Sequence, residues 1–187
     1  VTKFAVSIDQ VNQTCREMRR AFHAMRHGRP GPALVEMPRD VLAQEVSADV
    51  MDYRPTRVMR SAPSLGDVKD AVTALLGAKR PLIWAGQGVL YAEATAELRR
   101  FADLAQIPVM TTMQGKSAFP DDHPLALGSG NRTAPKAVYK WLGESDVVLA
   151  IGSGLTRTAF GQEIPDGKFL IQSTVSAEAV SYTHLTL

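Results

Sequence analysis

The chain has 187 residues, 45% of them hydrophobic and 21% charged, with a formal net charge of +2 at pH 7, which is the balance of an ordinary globular protein holding one domain and part of another at roughly 100–200 residues per domain. So small and evenly spread a charge argues against a nucleic-acid surface, and no apolar run approaches the roughly 20 residues that span a bilayer. A single cysteine, Cys15, excludes an internal disulfide or a cysteine-based metal site and suits a reducing cytosol, so a cytoplasmic location is expected.

From the amino end, Val11, Cys15, Met18, Phe22 and Met25 fall at the spacing of one helical stripe. They predict an amphipathic helix, with Asp9 as its cap and Gly28 as its stop. Ala33–Met37, apolar except for Glu36, predicts a mostly buried parallel strand. Glu36 itself is open to a functional role, to solvent, or to pairing with Arg39. One helix and one strand cannot enclose a core, so residues 1–43 read as the C-terminal part of a domain. The opening residue, Val1, agrees with a truncated chain. Between Gln44 and Pro63 periodicity fails and Pro55, Ser47, Asp49 and Asp52 accumulate, predicting a linker over 44–63.

Regularity returns after it. Leu65, Val68, Val72 and Leu75/Leu76 predict a helix face, and Leu82–Ala85 a short apolar strand. Ala94, Leu98, Phe101, Ala102 and Ala105 predict a second helix, followed by a strand at Ile107–Met110. Ala137, Val138, Trp141 and Leu142 mark a third helix, with strands at Asp146–Ile151 and Lys168–Ile171. Strands alternating with helices of this length indicate right-handed βαβ units. Residues 64–175 are therefore predicted to form a doubly wound α/β domain with a parallel, Rossmann-like sheet.

In such a sheet ligands collect at the carboxyl ends of the strands, and three of those ends suit a phosphate-bearing ligand. Gly86-Gln87-Gly88 follows the first strand, where two glycines let backbone approach a ligand at a helix start. Thr111-Thr112 offers hydroxyls, then Gln114 and Gly115. Gly152-Ser153-Gly154 precedes Thr156, Arg157 and Thr158, and a guanidinium there can pair with a phosphate. Neither glycine pair completes a dinucleotide fingerprint, which speaks against a dehydrogenase. The bland alternative is that these glycines only turn the chain tightly. Elsewhere, His123 reads as a turn residue because no catalytic order surrounds it, His23 and His27 as partners of helix carbonyls, and Asp121-Asp122 as a solvated turn without a third metal ligand.

Three phrases in order carry a resemblance: Gly28-Arg29-Pro30-Gly31-Pro32 leading to Pro38-Arg39-Asp40; Pro81 to Gly88; and Ile107 to Lys116, closing on His123-Pro124-Leu125 and Leu127-Gly128. Together they resemble the thiamine-diphosphate-dependent enzymes of the acetolactate synthase type, at the junction of the pyrimidine-binding and central domains. The resemblance implies a fragment of a 2-oxo acid carboligase or decarboxylase, inactive alone. Thiamine diphosphate and Mg2+ would serve the intact enzyme, which would be a homodimer or homotetramer, while the catalytic glutamate and the Gly-Asp-Gly…Asn motif would lie outside this chain. No catalytic or metal-binding residue is therefore assigned here. It further implies that the central domain holds FAD, an ADP-type nucleotide or none, through Gly86, Gln87, Gly88, Thr111, Thr112, Gly128, Gly152, Ser153 and Arg157. The flavin branch usually carries Met-His-Gly where this chain has Ser129-Gly130-Asn131. Residues 176–187 lack the aspartate-containing strand end usual in the family and read as a non-native or disordered tail. The alternative function is a non-catalytic nucleotide-binding module.

Overall fold

A computed structural model describes residues 2–156, 158–176, 179 and 185–186. The chain divides into two compact units, Val1–Ser61 and Ala62–Leu187.

In the first unit, strands β1 (Phe4–Ser7) and β2 (Ala33–Glu36) pair in parallel, with helix α1 (Thr14–Arg26) between them. The short helix α2 (Arg39–Leu42) follows. Strand β1 was not foreseen. The stripe of α1 differs from its sequence reading, because its buried residues are Glu17 and Ala21, whereas Cys15, Met18, Phe22 and Met25 are half-buried. Glu17, 2% exposed, is tolerated in this position because Arg16 and Arg20 both donate to its carboxylate, at 2.8 and 2.9 Å. A buried charge requires such pairing. Asp9 does not cap the helix; its Oδ1 accepts from Ser7 Oγ instead. Gly28 does serve as the stop, at φ 63°, a left-handed geometry that costs glycine little. His27 Nδ1 lies 2.8 Å from the carbonyl of His23, as expected of a helix-end histidine. Strand β2 is not mostly buried as its composition suggested: Leu34 and Glu36 are exposed and Ala33 and Val35 half-buried, because the two-stranded sheet is only partly covered.

In the second unit, α3 (Leu65–Gly77), β3 (Pro81–Ala85), α4 (Gln87–Tyr91), α5 (Thr95–Ala105), β4 (Val109–Thr112), β5 (Ala126–Gly130), α6 (Lys136–Glu144), β6 (Val147–Ile151), β7 (Phe169–Ser173) and β8 (Leu185–Thr186) build one sheet in the order β5-β4-β3-β6-β7-β8, every pairing parallel. Strand alternation divides the core in two. Ile83, Ala85, Val109, Val147, Leu149 and Ile171 pack with Ala71 and Leu75 of α3 and Leu98 and Ala102 of α5. Leu82, Trp84, Met110, Val148, Ala150 and Leu170 pack with Val138 and Leu142 of α6. Both faces are thus covered, as a parallel sheet requires, and each large apolar side chain removed from water contributes about 1.5–3 kcal/mol. This is the doubly wound α/β fold read from the sequence. Among the described residues, no helix is long and apolar enough to cross a membrane.

Helix α3 lies where the periodicity put it but turns a different face inward. Ala71 and Leu75 are buried, while Leu65 is 89% and Leu76 75% exposed. Small Ala71 and the half-buried Ala74 and Ala78 let the helix approach the sheet, which larger residues on that line would prevent. At the carboxyl edge, the backbone of Leu185 and Thr186 pairs with Ile171 and Gln172; Tyr182 lies outside the described residues.

The amino end of β3 is fastened by one carboxylate. Asp146 accepts the backbone N–H of Lys79 at 2.7 Å and of Arg80 at 2.9 Å. Burial pushes its pKa up, but these amide donors outweigh that and hold it below the usual carboxylate value. Lys168 donates to the carbonyls of Gly143 and Ser145 and so closes the end of α6. Burial lowers its pKa and the charge of Asp146 opposes the shift. A carboxyl whose folded pKa lies below its unfolded value of about 3.9 adds stability above that value and loses it as the pH falls through the folded one. Asp146→Asn is accordingly expected to lower the unfolding free energy by about 1–2 kcal/mol at pH 7. The gap should close below about pH 4, as urea titrations of both proteins at pH 7 and at acid pH would read.

Candidate functional site

The strand order of the second unit reverses between β3 and β6, with β4 and β5 on one side and β7 on the other. In open α/β sheets the carboxyl end of that reversal is where ligands bind. Gly86 ends β3 and Gly152 ends β6, so the predicted glycine loops meet there.

They meet at close quarters. The N–H of Gly86 donates to Ile151 O, that of Gly88 to Gly152 O, and that of Gly152 to Ser173 O, each at 2.8 Å. A Cβ on Gly86 would stand 2.8 Å from the carbonyl carbon of Gly152 and from the Cα of Ser153. One on Gly152, whose φ is +64°, would stand 2.6 Å from Val89 N. The glycines therefore create room for neighbouring backbone, and their amides are engaged by protein carbonyls. That is the tight-turn reading in its strongest form.

The threonines form a second cluster. Thr111 is buried on β4, and its Oγ1 lies 2.9 Å from Ser129 Oγ on β5. Thr112 Oγ1 accepts the N–H of Gly115 at 2.9 Å. Gly115 joins the two clusters, because its Cβ position falls 2.7 Å from Ala85 O and 2.8 Å from the carbonyl carbon of Gly86. Gly128 lies within β5 at φ +97°, in register with Met110 where the β4–β5 pairing shifts. Ser153 is buried; its Oγ accepts Leu155 N and its carbonyl accepts Gln172 Nε2. Gln87 is exposed beside Gly86. Arg157 lies outside the described residues.

A continuous set of contacts thus crosses the ends of β4, β3, β6 and β7 through Thr112, Gly115, Gly86, Gly152, Ser153 and Gln172. The sequence singled out most of these, Gly115 among them as part of the loop after Thr111-Thr112, but assigned no role to Ser129 or Gln172. A polar residue ending an apolar strand, as Gln172 does, is the signal that marks it. Chemically the edge offers carbonyls, hydroxyls and amides in a fixed frame. Among the described residues, the acids and histidines that the sequence offered elsewhere are engaged in turns or exposed. His123 accepts Leu125 N, lies 2.9 Å from Asp103 Oδ1 and stacks edge-on against Phe119. Asp121 and Asp122 are exposed. Among the described residues, no group of three or more His, Cys, Asp or Glu is placed to hold a metal ion.

Comparison with known proteins identifies the family. Residues 68–186 match the family described as thiamine pyrophosphate enzyme, central domain. The chain is 42% identical over 154 residues to glyoxylate carboligase of Escherichia coli O157:H7, covering 82% of this chain and 26% of that protein. It is 34% identical over 179 residues to the acetolactate synthase large subunit of Corynebacterium glutamicum, covering 91% and 28%. Among solved structures, benzoylformate decarboxylase from Polynucleobacter necessarius superposes with a TM-score of 0.78 at 21% identity, covering 99% of this chain and 35% of that one; this likeness bears on the fold alone. The chain spans about a quarter of the length of the curated relatives it matches. With its switch-point sheet and these matches together, the chain belongs to the thiamine pyrophosphate enzymes and carries their central domain.

Proposed function

We propose that this chain serves as the central-domain segment of a thiamine-diphosphate-dependent carboligase or decarboxylase acting on a 2-oxo acid. The observation that carries this reading is the 42% identity to glyoxylate carboligase over four-fifths of the chain. When bound in the complete enzyme, thiamine diphosphate supplies the carbanion chemistry that releases carbon dioxide from the 2-oxo acid. Its ligands, the activating glutamate and the Mg2+ site belong to parts of the enzyme beyond these residues. The residues present contribute a rigid sheet edge. In this reading the rim over Gly86–Gly88, Thr111–Thr112, Gly128 and Gly152–Ser153, with Arg157, seats FAD or an ADP-type nucleotide. Because the glycine amides bond to protein carbonyls, polar side chains of the rim such as Gln87 and Thr112 carry most of that recognition. The intact enzyme works as a homodimer or homotetramer in the cytoplasm, and no nucleic acid or membrane takes part.

Two measurements test this reading. Isotope-labelled chain titrated with ADP, then with FAD, should show NMR shifts confined to those strand ends; shifts scattered over the surface, or none, remove the nucleotide claim. Grafting the chain in place of the matching segment of the E. coli carboligase should retain measurable carbon dioxide release from glyoxylate. A folded graft that binds thiamine diphosphate without turnover would overturn the enzymatic reading, and nucleotide binding alone would leave a non-catalytic module.

A further inference from the structure

Trp84 and Gln172 bury two polar atoms that no group among the described residues meets: the indole Nε1–H of Trp84 and the amide Oε1 of Gln172. Trp84 is 5% exposed and Gln172 0%, so bulk solvent does not reach them. An unmet buried donor or acceptor costs about 1–3 kcal/mol of lost hydration, and native interiors leave few such groups unpaired. Here a donor and an acceptor are orphaned together.

The sheet register brings them to one place. Trp84 on β3 lies opposite Ala150 on β6, and Ala150 opposite Gln172 on β7. All three occupy the face covered by α6, as do Leu82, Val148 and Leu170 two residues earlier on the same strands. With strands about 4.8 Å apart, the two backbones stand roughly 10 Å from each other. An indole and a glutamine side chain are long enough to span that gap between them, and the residue on the intervening strand, Ala150, contributes one methyl group. Gln172 has no freedom to exchange its amide ends. Its Nε2 donates to Ser153 O at 3.0 Å, and the reverse orientation would set oxygen against oxygen. The orphan is therefore the acceptor, facing a core whose other orphan is a donor. The surrounding cluster of Leu82, Met110, Leu142 and Leu170 is apolar, which suits a small neutral guest and penalises an ion.

We propose that the space over Ala150, between Trp84 and Gln172, is a binding site for one ordered internal water that accepts from the Trp84 indole N–H and donates to Gln172 Oε1. Water is the smallest neutral molecule that performs both roles, and buried waters characteristically satisfy polar groups of this kind. It bridges β3 and β7 across β6, directly beneath the turn that Gln172 holds through Ser153.

The test is NMR on the 187-residue chain. The indole proton of Trp84, distinguished from that of Trp141 by its loss in Trp84→Phe, should show a dipolar cross-peak with water, and rotating-frame spectra separate this from proton exchange. The cross-peak should disappear in Gln172→Leu, which removes the acceptor, and in Ala150→Val, which fills the space. A native chain whose Trp84 indole proton shows no dipolar contact with water overturns the proposal. So does a cross-peak that survives at full strength in folded Gln172→Leu. Should Ala150→Val fail to fold, the native and Gln172→Leu spectra decide the question.

Discussion

Replacing Gly86 by alanine is expected to cost about 3 kcal/mol or more of folding stability, at or beyond the upper end of overpacking penalties. The added methyl has nowhere to go. It would stand 2.8 Å from the carbonyl carbon of Gly152 and from the Cα of Ser153, and backbone held in two ladders yields far less than the end of a flexible side chain. Relief would require breaking Gly86 N–H···O Ile151 or Gly88 N–H···O Gly152, both at 2.8 Å, and would separate the two loops that meet at the switch point. The same exchange elsewhere should act in the opposite sense. Gly143 lies in α6 with nothing within 4 Å of its Cβ position, so Gly143→Ala should stabilise the chain by about 0.5–1 kcal/mol through helix propensity. Urea denaturation of both variants reads this contrast. A Gly86→Ala chain within about 1 kcal/mol of the parent would show that the strand ends are not packed this closely.

Phe119→Ala is the second large effect, expected at about 3–5 kcal/mol. Phe119 is 1% exposed, among the largest fully buried side chains, and packs in the cluster beneath α3 and α5. Its ring meets His123 edge-on at 4.8 Å. His123 in turn accepts Leu125 N and lies 2.9 Å from Asp103 on α5. Removing the ring therefore leaves a cavity and also frees the turn that leads into β5. Phe119→Leu, which keeps most of the volume, should lose much less. Thermal unfolding distinguishes the two, and equal losses would assign the effect to the His123 contact instead of the cavity.

The strongest elements were legible because they obey one rule at a time. β3 and β6 are short apolar runs that can only be covered strands, and α5 carries Leu98 and Ala102 on one clean stripe. The apolar arc of helix α3 runs around about half its circumference, so periodicity could not separate the Ala71–Leu75 line that packs from Leu65 and Leu76, which do not. β5, Ala-Leu-Gly-Ser-Gly, has almost no intrinsic strand preference and exists because β4 offers it a ladder. The same limit applies to the site. Glycine and hydroxyl chemistry marked Gly86, Thr111 and Gly152, but what occupies the space beside a glycine is set by chain from another part of the sequence, here Gly152 and Ser153 for Gly86. Gln172 passed unremarked because its partner carbonyl lies 19 residues away.

The pairing of β3 with β6 also sets a timetable for synthesis. Ala85 finds its register partner only at Ile151. At about 5–20 residues per second, a ribosome needs roughly 3–13 s to deliver that partner after β3 has been made. During this interval a strand apolar on both faces has only β4 and the early helices for shelter. The central ladder thus closes only after β4 and β5 have been made, and during this interval the unpaired apolar edge of β3 is open to aggregation and to chaperones.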